Sequence, residues 1–244
     1  MCFSGTIVKS QDTTAKILKD TDHEKMVWFK EAKLGIFIHW GLYAVDGISE
    51  SWSFYNEYLS HEDYLKQLSG FTAANFKPKE WAKLIKDSGA KYSVITSKHH
   101  DGFALWNTNY GHLNAVSHAA AKKDVLSPLI DALKEKELKV GIYFSLPDWS
   151  SDLYTHFTTS KRRYAIEQDP QRWQQYLNYM NGQLLELKNN YTPDLWWFDG
   201  DWEHPPEAWE STKIRTSLLK GAPNTIINSR LTGQGDYQTP EIGV

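Results

Sequence analysis

The chain has 244 residues, enough for one domain with a substantial core or two small ones, and one domain is the simpler expectation. Lys and Arg number 27 against 30 Asp and Glu, a formal net charge of -3, so the sequence lacks the basic excess that binding to a nucleic-acid backbone requires. The single cysteine, Cys2, excludes an internal disulfide and a cysteine-based zinc site.

The N-terminus MCFSGTIVKS has neither a basic segment nor a long apolar core, and no run approaches the roughly 20 apolar residues of a membrane span. We therefore expect a soluble chain without membrane contact. No targeting signal is recognisable in it, so its compartment stays open. Residues 1–21 are expected to form an N-terminal extension ahead of a single domain over 22–244. The 11 Trp and 13 Tyr suit a flat ligand such as a carbohydrate, but they suit an aromatic core equally well.

Nearly continuous apolar runs, rich in β-branched and aromatic residues, predict strands that are covered on both faces, as in a parallel sheet. Four strong runs and a weaker fifth are present: KLGIFIHWG from Lys33, KYSVITSKHH from Lys91, LKVGIYFSLPDW from Leu138, DLWWFDGD from Asp194 and TIINSR from Thr225.

Amphipathic segments between these runs predict helices over Pro78–Ser88, Ser127–Glu137 and Gln171–Asn189. We expect Trp81, Leu84 and Ile85 to share the apolar stripe of the first. The second has an apolar stripe of its own, which consists of Leu129, Ile130 and Leu133. The repeated order of helix then strand is typical of βαβ units, so the predicted fold class is α/β.

The four strong runs all end in polar residues of the kind that enzymes use: His39 with Trp40, His99 with His100 and Asp101, Ser145 with Asp148, and Asp199 with Asp201. Polar residues also simply mark where strands stop. Because active residues of parallel α/β proteins gather at the carboxyl ends of the strands, four such endings together favour a site. The segment Gly41–Asn75, rich in aromatics, is a long connection that would either wall this site or form a mobile surface loop.

Motifs for nucleotide binding, helical zinc hydrolysis and serine hydrolysis are lacking, and no cofactor is expected. KHHDG could supply metal ligands, but adjacent strand residues face opposite sides, so His99 and His100 reach one ion only at an irregular strand end; we expect no metal. Carboxylate chemistry remains. Strand parity places Leu195, Trp197 and Asp199 on one side of their strand and Trp196 and Phe198 on the other. Asp201 is a rival acid.

The motifs WFKEAKLGIFIHWG, SKHHDGFALWNT, DVLSPLIDALKEKELKVGIYFSLPDW, LWWFDGDW and GDYQTPE, in this order from about Trp28 to Glu241, resemble the α-L-fucosidases of glycoside hydrolase family 29. The resemblance implies a (β/α)8-type TIM-like barrel and a retaining exo-glycosidase that removes terminal α-L-fucose from a glycan or glycoside. It implies Asp199 as nucleophile and Glu241 as general acid/base.

The resemblance also implies a set of sugar-binding residues: His39, Trp52, His99, His100, Trp197 and Arg230. On the third strand the ligand aromatic is either Tyr143 or Phe144, and we select Tyr143, although parity alone does not decide. Many relatives carry a Glu-Trp pair in the loop after the first strand. Here Ser51 stands in the place of that glutamate, and whether Glu50 substitutes for it is open.

The length predicts an incomplete barrel of about five to six βα units, since eight units take about 250 residues and the long crossover Gly41–Lys91 has already used much of the chain. An open barrel exposes sheet edges and apolar surface, so we expect a homo-oligomer. The alternative function is a truncated, weakly active or inactive module that binds fucose and oligomerises.

Overall fold

The computed structural model describes residues 24–240, so the expected extension 1–21 and Glu241 lie outside the described residues. The strands are β1 (Gly35–Ile38), β2 (Tyr92–Lys98), β3 (Lys139–Ser145), β4 (His156–Thr158), β5 (Lys161–Arg162), β6 (Leu195–Asp199) and β7 (Ile226–Ile227). The α-helices are α1 (Val27–Ala32), α2 (Trp52–Tyr55), α3 (His61–Leu65), α4 (Pro78–Asp87), α5 (Leu126–Glu135), α6 (Pro170–Tyr191), α7 (Pro206–Trp209) and α8 (Ser211–Leu219). Short 3-10 turns cover Leu42–Ala44, Lys66–Ser69 and Asp201–Glu203.

One five-stranded parallel sheet, in the order β1-β2-β3-β6-β7, organises the chain. Each apolar run of the sequence supplies one of its strands, in chain order, so the predicted α/β class is confirmed. The strands neighbour each other in sequence order, with helices in the crossovers, as in the successive units of a (β/α)8-type barrel. The described residues contain four complete βα units of such a barrel and the strand of a fifth. The remaining strands, β4 and β5, form a small antiparallel hairpin after β3.

The three predicted helices are confirmed as α4, α5 and α6, with ends that differ from the predictions by one or two residues. The predicted stripe of α5 is correct, because Leu129, Ile130 and Leu133 are fully buried. The stripe of α4 was wrong at Leu84, which is 71% exposed.

The buried face of α4 is formed by Ala82 and Ile85, with Trp81 half-buried at its edge. At 100° per residue, Leu84 is turned roughly 120° from the centre of that face. Leu84 therefore faces solvent, and single exposed apolar residues are common on protein surfaces.

The sheet separates two apolar layers. The outer layer lies between sheet and helices and contains Trp196 and Phe198, both almost completely buried. The inner layer contains Val94, Leu195 and Tyr143, with Trp197 packed against it. Strand parity therefore predicted correctly which side chains of β6 face the helices and which face the inside of the sheet.

The segment Gly41–Asn75 is folded onto the carboxyl end of the sheet as α2 and α3 with 3-10 turns, and it places Trp52 and Phe54 against Trp149. Its prediction as a wall of the site, rather than a loose loop, agrees with the burial of Ser51 and Phe54. No helix among residues 24–240 is long and apolar enough to cross a lipid bilayer.

Candidate active site

Asp199 ends β6 and holds its carboxylate at the carboxyl end of the sheet. Its Oδ2 accepts a hydrogen bond from the Tyr143 hydroxyl at 2.8 Å, and its Oδ1 is in direct contact with Nη1 of Arg230. Tyr143 is paired with Trp197 in the β3–β6 register, two residues before Ser145 pairs with Asp199. The register of two neighbouring strands therefore brings the tyrosine hydroxyl to the carboxylate.

The choice between Tyr143 and Phe144 is decided by which layer each ring enters. Tyr143 belongs to the inner layer beside Trp197, whereas Phe144 is fully buried in the outer layer against Phe198. Only the tyrosine lies on the side of Asp199. Tyr143 is thus the aromatic of β3 that faces Asp199, and its role in binding a sugar stays a prediction.

Three histidine side chains converge on the same place. The ring of His39, which follows β1, lies 4.9 Å from the ring of His99, and His99 lies 4.3 Å from His100, measured between centroids. His100 Nε2 is 3.7 Å from Asp199 Oδ2. The register of β2 on β3 shifts between Thr96 and Lys98, which makes the strand end irregular.

This irregular end brings His99 and His100 to one side although they are adjacent in sequence. One ring nitrogen of each histidine and one oxygen of Asp199 lie within 4.8 Å of one another, a donor set that a divalent cation could use. However, the carboxylate is already paired with the Arg230 guanidinium, whose positive charge would repel a cation. The expectation of no metal stays a prediction.

Burial governs the electrostatics of the three histidines. Desolvation lowers the pKa of His39, against the charges of Glu50 and Asp199, which raise it. Burial holds the pKa of His99 well below its usual value and lowers the pKa of His100 to about 4. All three rings are therefore neutral at pH 7, where a neutral imidazole offers one donor and one acceptor nitrogen.

A cavity of about 380 Å³ opens beside Asp199. It is lined by Phe37, His39, Tyr143, Trp197, Asp199, Arg230, Thr239 and Pro240. A larger cavity, about 530 Å³, lies at the opposite end of the sheet around Trp28 and Lys139 and contains none of the predicted site residues. The smaller one combines apolar walls with convergent polar groups, as binding sites for small molecules do.

The other predicted residues are not among these lining residues but adjoin them at Asp199, whose Oδ2 lies 3.7 Å from His100 Nε2. His99 is 5% exposed and His100 is fully buried, while the ring of Trp52 lies 5.5 Å from that of His100. Glu241 lies outside the described residues, directly after Thr239 and Pro240 of the lining. Asp201, the rival acid, is bonded to the Thr232 hydroxyl.

Several side chains near the site had no role in the sequence-based prediction. Ser51 contacts His99, Ser145 contacts His100, and Trp149 packs on the His100 ring at 4.5 Å while its Nε1 donates to Glu203 at 2.8 Å. Trp202 is 54% exposed and lies 5.4 Å from the Arg230 guanidinium. Serines and exit-loop residues carry no periodicity. Ser145 had a signal as a strand ending, and Ser51 had one because it stands where many family members carry a glutamate.

The sequence matches a known protein family. The profile of the Alpha-L-fucosidase family matches residues 1–244. The chain belongs to the α-L-fucosidase family. An α-L-fucosidase of Branchiostoma floridae is 32% identical over 231 residues, which cover 85% of this chain and 49% of the relative. The chain thus spans about half the length of the curated relatives it matches.

Solved structures of α-L-fucosidases share the fold. Isoenzyme 1 from Paenibacillus thiaminolyticus superposes with a TM-score of 0.81 at 32% identity, over 92% of this chain and 58% of that one. A family 29 α-L-fucosidase from Bacteroides thetaiotaomicron superposes with a TM-score of 0.77 at 30% identity, over 88% and 54%. The latter was captured as a trapped covalent intermediate with 2-fluoro-fucosyl fluoride, in a variant in which a glutamate is changed to glutamine.

Proposed function

We propose that this chain carries the site of a retaining α-L-fucosidase, a glycoside hydrolase that acts through a fucosyl-enzyme intermediate. The observation that carries the proposal is the placement of Asp199 at a strand end, between Tyr143 and Arg230 and against a histidine cluster, in a family in which a relative forms a covalent intermediate. A carboxylate held in this way is suited to attack an anomeric carbon.

The residues around Asp199 fit a fucose ring. Histidine and arginine nitrogens can hydrogen-bond the sugar hydroxyls, whereas the rings of Phe37 and Trp197, which meet edge to face at 5.1 Å, offer an apolar wall for the C6 methyl group. In the proposed first step Asp199 attacks C1 and the bond to the leaving oxygen breaks. Glu241 donates a proton to that oxygen and afterwards takes one from the water that releases fucose.

The role of Glu241 rests on the resemblance of GDYQTPE to the family motif and on the position of Thr239 and Pro240 in the wall of the cavity. A retaining mechanism requires the two carboxyl groups to be about 5 to 5.5 Å apart. Product of inverted configuration, measured by NMR at early times, would contradict the assignment.

The second candidate is a module that binds fucose without turnover. It is favoured by the cavity itself, whose histidine, arginine and aromatic lining would hold a sugar whether or not a bond is broken. The retained contacts of Asp199 favour catalysis instead, because binding alone does not require a carboxylate held by both tyrosine and arginine.

Hydrolysis of 4-nitrophenyl α-L-fucoside, compared with other aryl glycosides, separates the two candidates. We expect turnover that Asp199→Ala lowers by at least about a thousandfold, since removal of a nucleophile abolishes the covalent step. Asp131→Ala, an exposed aspartate on α5, is the matched control. Turnover that survives Asp199→Ala would refute the nucleophile, and fucose binding without any turnover would favour the binding module.

We further propose that copies of this chain associate. Within residues 24–240 the edge strands β1 and β7 each pair with one strand only, and Leu34, just before β1, is 45% exposed. Size-exclusion chromatography with light scattering should show an oligomer, which Leu34→Lys weakens. Leu84→Lys, at the exposed leucine on α4, should not change the mass. A monomer at high concentration would contradict the proposal.

A further inference from the structure

Two buried serines stand behind the adjacent histidines. Ser51, which precedes α2, contacts Nδ1 of His99, and Ser145, which ends β3, lies 2.5 Å from Nδ1 of His100 through its Oγ. Both serines are fully buried. Because a neutral imidazole carries its proton on one nitrogen only, a partner at Nδ1 decides which tautomer is present and what Nε2 offers to a ligand.

The proton of Ser145 is already used. Its hydroxyl donates to the carbonyl oxygen of Pro147 at 2.6 Å, and a carbonyl can only accept. Oγ of Ser145 must therefore accept from His100, so the His100 proton sits on Nδ1. Burial lowers the pKa of His100 to about 4, so its Nε2 is a bare lone pair at pH 7. That nitrogen is buried without a hydrogen-bond partner among residues 24–240.

Ser51 has the opposite polarity. Its Oγ accepts from the backbone N–H of Asp101 at 3.0 Å. Two acceptors compete for its own proton, Nδ1 of His99, which is in direct contact, and the hydroxyl oxygen of Tyr64, which itself donates to Asp101. The direct contact favours His99, which then accepts at Nδ1 and carries its proton on Nε2. Its ring is neutral, since burial holds the pKa of His99 well below its usual value. The free edge of this ring thus presents an N–H donor.

We propose that Ser51 and Ser145 are positioning residues that lock His99 and His100 in opposite tautomers, so that a sugar meets an N–H donor and a bare nitrogen acceptor side by side. The inference rests on the proposed function for the identity of the ligand, whereas the tautomers are argued from the hydrogen bonds of Ser51 and Ser145 and from the neutrality of the buried rings.

The acceptor at His100 has a specific consequence. His100 Nε2 and Asp199 Oδ2 are both acceptors and lie 3.7 Å apart, so the group that fits between them is a donor. If Asp199 bonds to C1, the hydroxyl on C2 is the nearest sugar donor to this pair. A ligand that keeps the shape of fucose but cannot donate at C2 should bind about tenfold more weakly.

NMR of the full chain labelled with 15N-histidine tests the tautomers without reference to activity. Long-range 1H–15N correlations at pH 7 distinguish protonated from bare ring nitrogens, and His99→Gln and His100→Gln identify the two signals. We expect a proton on Nε2 of His99 and on Nδ1 of His100. The same tautomer in both rings, or a charged imidazolium in either, would overturn the proposal.

Removal of each serine should act on one ring only. Ser51→Ala takes the donor from His99 and should lower the fraction of this ring with its proton on Nε2, and Ser145→Ala takes the acceptor from His100 and should raise the fraction with a proton on Nε2. Ser53→Ala and Ser211→Ala are matched controls, because both hydroxyls are buried without a partner among residues 24–240. Unchanged correlations in the two test variants would contradict the role of the serines even if the wild-type tautomers are as expected.

The ligand is tested with L-fucose and 2-deoxy-2-fluoro-L-fucose, whose fluorine cannot donate. Weaker binding of the fluoro sugar to the wild type, together with a smaller difference in Ser145→Ala, supports the acceptor at His100; equal binding overturns it. The two failures can be distinguished. A chain that does not hydrolyse 4-nitrophenyl α-L-fucoside contradicts the proposed function but can still show the two tautomers by NMR.

Discussion

At Asp199 two groups share the task of holding one side chain. The Tyr143 hydroxyl reaches Oδ2 and the Arg230 guanidinium reaches Oδ1, so each oxygen has its own donor and the carboxylate cannot rotate without breaking one contact. Both contacts stabilise the negative charge of a nucleophile. They differ in origin, because the tyrosine comes from the neighbouring strand and the arginine follows β7.

Tyr143→Phe removes the donor to Oδ2 and leaves the ring in the inner layer. We expect kcat/KM for 4-nitrophenyl α-L-fucoside to fall by roughly 10- to 100-fold, since a hydrogen bond to a charged group contributes about 1.5 to 3 kcal/mol. Tyr92→Phe is the control. Tyr92 is the first residue of β2, at the end of the sheet away from Asp199, so this change should alter kcat/KM little. An unchanged kcat/KM in Tyr143→Phe would mean that the hydroxyl does not act on the carboxylate during the reaction.

For single residues, the sequence predicted which side of a strand a side chain faces better than it predicted the groups that the side chain contacts. Strand parity was sufficient to place Trp197 and Asp199 on the inner side. It could not choose Tyr143 over Phe144, because that choice depends on the register with β6. Nor could it assign Ser51, whose hydroxyl meets a histidine 48 residues away in sequence, since a single serine has no pattern that distinguishes it from a turn residue.

Among the elements, the turn after β6 fixes the position of Asp199, the last residue of that strand. Gly200 has a φ of +81°, and a Cβ added there would lie 2.2 Å from Cδ of Pro147, which belongs to the loop after β3. Two loops of the site therefore meet at a residue without a side chain.

Gly200→Ala should both destabilise the protein and displace Asp199. We expect a loss on the order of 3 kcal/mol in the free energy of unfolding, measured in urea, because steric overlap adds to an unfavourable φ. Gly89→Ala is the control: it has a φ of +88° but no atom within 4 Å of the added Cβ, so about 1 kcal/mol should be lost. Equal losses would show that the contact with Pro147 relaxes freely.

Long elements were predicted more accurately than short ones. The helices α4, α5 and α6 have 10, 10 and 22 residues, long enough for an apolar period or a cap to be visible. By contrast α2 and α3 have only 4 and 5 residues. Helices this short are not stable alone, so their formation depends on packing against Trp149 and the sheet, which the sequence does not display.

For the whole molecule, the order of apolar runs and helices was sufficient to predict a parallel sheet, because βαβ crossovers leave few alternatives. Strand parity was sufficient to predict which side chains of β6 belong to each of the two apolar layers. The site could be located at the carboxyl ends of the strands for the same reason. The placement of His99 and His100 on one side depends on the irregular end of β2, and no local sequence pattern predicts this departure from strand geometry.

Acid should destabilise the fold through its buried histidines. Burial lowers the pKa of His61, His100 and His204 to about 4 each, so between pH 6.5 and about 4 the unfolded chain binds protons that the folded chain does not. Stability is therefore fully present above pH 6.5 and is lost as the pH falls. Asp101 acts in the opposite direction, because burial raises its pKa to about 6 and the folded state gains a proton below that pH. Burial also lowers the pKa of His39, His99 and His156 and raises the pKa of Asp201 and Glu203, so six histidines act against three carboxyls.

We expect the Tm measured by calorimetry to fall by several degrees, roughly 5 to 10 °C, between pH 7 and pH 5.5. His61→Gln can keep a hydrogen bond to Ser150, which His61 Nε2 makes at 2.7 Å, while it removes one titrating group, so the fall should become measurably smaller. His118→Gln, at an exposed position, should leave the fall unchanged. A Tm that stays constant or rises on acidification would mean that Asp101 and the other buried acids outweigh the histidines.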